Sequence, residues 1–186
     1  RVLQLAKLAH VLQHRLQVRP THGLARRVQA CSLFGLDVLA LAEKGPESPA
    51  LAEGLPGVVE ENERAYFDTS RPDYQDALTD FFTRYLAVES GDEAALETFA
   101  IRPQRSLGFP ALMDALPRLP KPPVMTKGQV TGPFTWGTNL TDQNRRCAYY
   151  DAQLHDVVVK GVALKALWQI KHLKAFGAPV MIWMDE

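Results

Sequence analysis

The chain has little cysteine, no excess charge of either sign and no long hydrophobic run. Its 186 residues include two cysteines, Cys31 and Cys147, and 21 Lys+Arg are balanced by 21 Asp+Glu. Two isolated cysteines are too few for a disulfide framework or for a zinc site made of cysteines alone. We therefore expect reduced, mostly buried thiols in a cytoplasmic protein.

The even charge balance argues against polyelectrolyte partners. A nucleic-acid-binding protein usually carries a basic excess on one face, and a membrane-surface protein carries a polybasic segment. The longest run without charged or strongly polar residues, 176–184, is much shorter than the roughly 18 residues that span a bilayer. We expect a small-molecule substrate, with no nucleic-acid or membrane partner.

Hydrophobic spacing and breaker residues predict a mixture of helices and strands. Residues 1–48 are helix-like, and 43–56 are rich in glycine and proline, which is typical of a connection. Short apolar runs around a polar tip predict a hairpin within 58–67. A helix is expected over 72–88, and by the same capping logic Ser90-Gly91-Asp92-Glu93 is expected to begin a further short helix.

The last third of the sequence predicts a β-α-β unit. Val124–Val130 has strand length, and a long helix can begin after Asp151 and stop near Gly177. Residues 179–184 are apolar on both faces, as in a strand covered by helices on either side. A strand, a crossover helix and a second strand imply parallel pairing with a right-handed connection, so the fold class is α/β.

Polar residues follow both of these strands directly. Asp185 and Glu186 come after the second strand, and the turn containing Gly132 and Thr135 comes after the first. In parallel α/β folds, ligands bind beyond the carboxyl ends of the strands, where the loops converge. We interpret these residues as a binding or catalytic site rather than as a solvated strand end.

Two long polar side chains lie inside the first strand. Lys127 and Gln129 alternate to the same side, and burying them unpaired would cost several kcal/mol. Two interpretations stay open. They line a polar barrel interior and reach a ligand, or they pair with acids elsewhere in the core.

Other chemistry-bearing residues have simpler interpretations. His155 and His172 lie on the long helix but are 17 positions apart, too far for the i, i+4 spacing of a helical metal site. We expect surface or capping roles for them. The aromatic residues of the last third are interpreted as packing residues: Trp168, Trp183, Tyr149 and Tyr150.

Several short motifs form a recognisable set. They are Lys127-Gly128-Gln129-Val130-Thr131-Gly132-Pro133-Phe134-Thr135, Tyr150-Asp151, Lys160-Gly161, Trp168-Gln169 and Met184-Asp185-Glu186, together with the earlier Glu53-Gly54-Leu55-Pro56-Gly57. This set resembles the superfamily of cobalamin-independent methionine synthase and uroporphyrinogen decarboxylase, whose members are (β/α)8 barrels. The closest likeness is to compact bacterial relatives of methionine synthase, and it covers roughly residues 49–186.

The resemblance implies a partial (β/α)8 TIM-type barrel over 49–186, truncated after a parallel strand, with 1–48 as a separate helix-like segment. A barrel of this type needs about 250 residues. We therefore expect the chain to hold part of its fold.

The resemblance also implies an activity, which is methyl transfer to a thiol such as homocysteine that a zinc ion activates. Asp185 matches the aspartate that helps to hold the amino-acid substrate, and Gly132, Pro133 and Thr135 match the turn beside the methyl donor. Asn139 stands where methionine synthases have a folate-stacking tryptophan, so the methyl donor is left open.

The family's zinc ligands, a His-x-Cys pair and a later cysteine, follow the Asp-Glu strand. We expect zinc in the full-length protein, with no ligand in this chain, which alone would lack methyl-transfer activity.

Two alternatives accompany this interpretation. A uroporphyrinogen-decarboxylase-like enzyme would need basic residues to hold several carboxylates, and Arg145 and Arg146 are the candidates. A non-catalytic half-barrel would instead associate with a partner, including a second copy, because an apolar terminal strand exposes a sheet edge.

Overall fold

The computed structural model describes residues 52–61, 64–103 and 108–186, which contain both strands and helices. The predicted helical segment 1–48, with Cys31, lies outside these residues. The elements are β1 (Val58–Glu61), β2 (Arg64–Phe67), α1 (Tyr74–Glu89), α2 (Glu93–Glu97), α3 (Gly108–Ala115), β3 (Thr126–Thr131), α4 (Pro133–Asn139), β4 (Thr141–Asp142), α5 (Ala152–Lys174) and β5 (Val180–Asp185). Single 3₁₀ turns occur at Leu116–Arg118 and Ala148–Tyr150.

The described strands form two small sheets, which makes the fold mixed α/β, the class predicted from the sequence. One sheet has the order β1-β2-β4, and the other pairs β3 with β5. β1 and β2 form the predicted antiparallel hairpin, with Val58 opposite Phe67. The parallel pairing of β2 with the two-residue β4 was not predicted.

The β-α-β unit of the last third is confirmed. β3 and β5 are parallel, with Thr126 opposite Val180 and Thr131 opposite Asp185. The carboxyl ends of both strands therefore lie side by side. α5 connects them in sequence and packs against both strands.

α5 is the central helix of the described core. Its buried residues occur on nearly every side of its first five turns, so it is packed against other elements all round. They are Leu154, Val157, Val158, Val159, Gly161, Val162, Ala163, Leu164, Lys165, Ala166, Trp168, Gln169 and Leu173. Even so, no helix in the described part of the chain is long and apolar enough to cross a membrane.

Side-chain caps fix the starts of two helices, and the cap by Asp151 is the one that was predicted. The Asp151 carboxylate accepts hydrogen bonds from the backbone N–H groups of Gln153 (2.9 Å) and Leu154 (3.0 Å) at the start of α5. Asp92 does the same at the start of α2. These bonds satisfy N–H groups that the first turn leaves without partners.

The prediction that the last strand is covered on both faces is wrong. Burial alternates along β5, and Met181, Trp183 and Asp185 are exposed while Val180, Ile182 and Met184 are partly buried. One face of the β3–β5 sheet packs on α5, and the other is open among the described residues. The apolar character of the run hid this alternation, because Met181 and Trp183 are as hydrophobic as the residues that face the helix.

The outer edge of β3 is occupied by a side chain. Thr126 donates its backbone N–H to the Pro179 carbonyl just before β5, and Gly132 donates to the Asp185 carbonyl at its end. Gln129 is an odd number of positions from both, so its N–H and carbonyl point away from β5. Gln169 of α5 meets it there. Its side-chain oxygen accepts from the Gln129 N–H (2.9 Å), and its amide nitrogen donates to the Gln129 carbonyl (2.8 Å).

Candidate functional site

The open face of the β3–β5 sheet carries the polar residues predicted to form a site. Lys127 and Gln129 lie on it from β3, and Trp183 and Asp185 lie on it from β5. The pleat places alternate residues on one face, and the parallel register sets Gln129 directly opposite Trp183. We call these four residues the face cluster.

The Asp185 carboxylate is the centre of the face cluster. One of its oxygens accepts a hydrogen bond from the Gln129 side-chain amide, and the other accepts one from the Trp183 indole N–H. Both donors are neutral. They fix the direction of the carboxylate without cancelling its charge.

The Lys127 ammonium group contacts an aromatic ring and not this carboxylate. Its ammonium nitrogen lies 5.2 Å from the centre of the Trp183 ring, in a cation–π contact. Within the described residues, neither Lys127 nor Asp185 takes part in an ion pair. The sequence left open whether Lys127 and Gln129 reach a ligand or pair with acids. In the structure, Gln129 contacts the acid Asp185, whereas Lys127 contacts an aromatic ring.

Glu186 and the turn after β3 form the rim of the site at the carboxyl ends of β3 and β5. The Glu186 carboxylate accepts hydrogen bonds from the backbone N–H groups of Phe134 (3.3 Å) and Thr135 (3.0 Å), in the first turn of α4. The Gly132 N–H donates to the Asp185 carbonyl (2.7 Å). A side chain at Gly132 would displace the Glu186 carboxylate from this position.

Aromatic rings continue the rim away from the strands. Phe134 contacts Tyr149 edge to face (ring centres 5.2 Å apart), and Tyr149 also contacts Tyr150 and His155. Burial lowers the pKa of His155, and the charge of Asp156 opposes this effect only in part. His155 is therefore neutral near pH 7 and acts there as an aromatic packing residue.

A second polar cluster joins α2 to the last turns of α5. The Glu97 carboxylate accepts hydrogen bonds from Trp168 (2.8 Å) and Lys171 (2.7 Å), and the His172 ring lies 3.4 Å from it. Burial by itself would raise the pKa of Glu97, but these three contacts together outweigh it and lower that pKa. This cluster anchors α2 to α5.

Several predicted candidates lie away from the face cluster. Arg145 and Arg146 are exposed in the loop that follows β4, where Arg146 bonds through its backbone to Asp142. Cys147 is a partly buried free thiol. Among the described residues, no three or more His, Cys, Asp or Glu side chains are grouped so as to hold a metal ion.

Sequence reasoning missed two residues. Trp183 was interpreted as a packing residue, yet its side chain is 52% exposed and contacts both charges of the face cluster. The signal was its position two residues before Asp185, on the same face of the strand. Lys165 was not noticed, although it is almost fully buried in α5 and donates to the Glu53 carbonyl (3.0 Å).

Comparisons of the chain with models of protein families, with curated proteins and with solved structures find no match.

Proposed function

We propose that the carboxyl end of the β3–β5 sheet binds the ammonium group of an amino-acid thiol, in a methyltransferase-like protein related to cobalamin-independent methionine synthase. The observation that carries the proposal is the Asp185 carboxylate. It lies at the strand end, is held by Gln129 and Trp183, and has no cationic partner among the described residues.

The chemistry of such a site follows from this arrangement. A carboxylate whose direction is fixed by two neutral donors keeps its charge for a ligand, and charge-assisted hydrogen bonds are stronger than neutral ones. The Gly132–Thr135 turn adjoins the same strand end through Glu186. In the proposed protein, a methyl donor of unspecified class would bind beside this turn, within a TIM-type barrel.

Zinc belongs to the wider proposal but not to these residues. In the zinc methyltransferases of this superfamily, the zinc ion activates the acceptor thiol as a thiolate. The described residues offer no set of ligands that fits the ion. The role we propose for this part of the chain is therefore substrate binding.

Calorimetric titration of the protein with L-homocysteine tests the proposal. We expect saturable binding by the wild type and affinity at least about tenfold weaker in Asp185→Asn, since the variant keeps the shape of the side chain but removes its charge. Asp114→Asn, at an exposed site in α3, is the matched control and is expected to bind like the wild type. Absence of binding by the wild type, or equal binding by both variants, would reject the proposal.

A second candidate function is association with another copy of the chain through the open sheet. Met181 and Trp183 are exposed, and β5 pairs only with β3 in the described part of the chain. A two-fold arrangement would align two β5 edges antiparallel. Sedimentation velocity should then show a concentration-dependent dimer that Met181→Lys weakens and Leu86→Lys, an exposed apolar residue of α1, does not. A wild type that stays monomeric at every concentration contradicts this candidate.

A further inference from the structure

The face cluster holds two opposite charges that do not meet. The Lys127 ammonium lies over the face of the Trp183 ring, and the Asp185 carboxylate binds the N–H at the edge of the same ring. The indole therefore contacts a cation at its face and an anion at its edge, on one open surface. Among the described residues, each charge contacts neutral groups only.

Lys127 and Asp185 lie on the same face of adjacent strands, but they are four positions apart along the sheet. Lys127 is opposite Met181, whereas Asp185 is opposite Thr131. At about 3.3 Å per residue the two backbones are about 13 Å apart along the strands. The position between them is that of Trp183, and the ammonium of the half-buried Lys127 lies over its ring.

We infer that Lys127 is the carboxylate-binding residue of this site, and that the site takes a zwitterion with its ammonium at Asp185 and its carboxylate at Lys127. The inference rests on the proposed function and adds the second charged end of the ligand to it. Trp183 is a positioning residue in this arrangement, because its ring contacts the Lys127 ammonium and its N–H binds the Asp185 carboxylate. A ligand with both charges is complementary to the surface, whereas a ligand with one charge satisfies only half of it.

Two probes separate the two ends of the ligand. L-Homocysteine carries both the ammonium and the carboxylate, and 3-aminopropane-1-thiol has the same chain and thiol but no carboxylate. Both are titrated calorimetrically, under reducing conditions, into the wild type, Lys127→Met, Lys127→Arg and the control Lys121→Met. Lys121 is exposed in the loop before β3, so the control makes the same charge change away from the site.

We expect Lys127→Met to bind homocysteine about tenfold more weakly than the wild type and to bind the aminothiol with unchanged affinity. Lys127→Arg should keep most of the difference between the two probes, and Lys121→Met should behave like the wild type. If Lys127→Met changes both affinities equally, or neither, the inference is wrong.

The failure of this inference can be distinguished from failure of the proposed function. If Asp185→Asn weakens both probes while Lys127→Met changes neither, the ammonium site stands and the carboxylate site is rejected. If the wild type binds neither probe, both are rejected. A circular-dichroism melting curve for each variant confirms that the comparison is made between folded proteins.

Discussion

At the scale of single residues, Gly128 is where the packing of α5 on β3 leaves least room. A methyl group there would lie 2.6 Å from the Gln169 side-chain oxygen and 2.7 Å from a methyl carbon of Ile182. Hydrogen bonds to the β3 backbone hold the Gln169 side chain, so its oxygen moves away only if these bonds are lost. The glycine thus allows the helix to approach the sheet closely.

Gly128→Ala should lower the free energy of unfolding by about 1–3 kcal/mol, because the added methyl group overpacks this contact. Urea unfolding followed by circular dichroism measures the change. Gly137→Ala in α4 is the matched control, since its added methyl group would meet the nearest atoms of Tyr149 at 3.4 Å or more. Equal stability of Gly128→Ala and the wild type would contradict the packing described here.

A second prediction at this scale concerns the exposure of Trp183. Of the three tryptophans, Trp136 is 2% exposed and Trp168 is 6% exposed, against 52% for Trp183. Acrylamide should therefore quench a component of the intrinsic fluorescence that is missing from Trp183→Phe. If the variant is quenched as strongly as the wild type, Trp183 is not the exposed residue.

The residues of the site were predictable to different degrees. The position of Asp185 at the end of a parallel strand, beside the turn after β3, followed from the hydrophobic run and the β-α-β pattern. The contact between Lys127 and Trp183 did not follow, because it depends on which face of β5 is open. In a run as apolar as 179–184, hydrophobicity alone does not distinguish the two faces.

At the scale of elements, the start of α5 depends on one side chain. Replacing Asp151 by alanine removes the hydrogen bonds to the N–H groups of Gln153 and Leu154. We expect a loss of about 1 kcal/mol in the free energy of unfolding, measured by urea denaturation. Asp114→Ala, at an exposed position in α3, should change it by less than about 0.5 kcal/mol. A loss of the same size in both variants would argue against a capping role.

The contacts of Glu97 between α2 and α5 predict that the free energy of unfolding depends on pH. Contacts with Lys171, Trp168 and His172 outweigh burial and lower the pKa of Glu97 below its ordinary value of 4.5. A lowered pKa in the folded state means that the unfolded state binds the proton first. The stabilisation by Glu97 is thus fully present above about pH 4.5 and is lost as the pH falls toward the folded-state pKa.

Thermal unfolding of wild type and Glu97→Gln across acidic pH measures this contribution. We expect the variant to be less stable at neutral pH and to lose less stability on acidification. Glu61→Gln, at an exposed site in the hairpin, should follow the wild type. Parallel curves for the wild type and Glu97→Gln would show that the carboxylate does not contribute in this way.

The elements found from the sequence are those with strong local signals. α5 and α1 have regular apolar spacing, and acidic caps mark the starts of α5 and α2. α4 was missed because Gly132-Pro133 was interpreted as the end of a strand, although proline is also favoured at the first position of a helix. β4 was missed because its two residues form a strand only by pairing with distant β2.

At the scale of the whole molecule, the β3–β5 sheet depends on Gln169 as well as on strand pairing. Gln169→Leu leaves the N–H and carbonyl of Gln129 without their partner, which should destabilise the protein by about 1–3 kcal/mol. Hydrogen exchange by NMR should become faster at the Gln129 amide. Gln75→Leu, on the exposed side of α1, should leave that exchange rate unchanged. An unaltered rate in Gln169→Leu would mean that this side chain does not protect the strand.

The hydrogen bonds of Gln169 also make the two edges of the β3–β5 sheet unequal as sites for a further strand. Its amide imitates one residue of a neighbouring strand, so any strand that joins β3 from outside must first displace that side chain. Along the outer side of β5, the described residues present no such obstacle. Among the described residues, a further strand would thus meet no such side chain at β5, whereas at β3 it would pair only after Gln169 releases the Gln129 backbone. The buried Gln169 side chain thus determines which edge of this sheet can accept a further strand first.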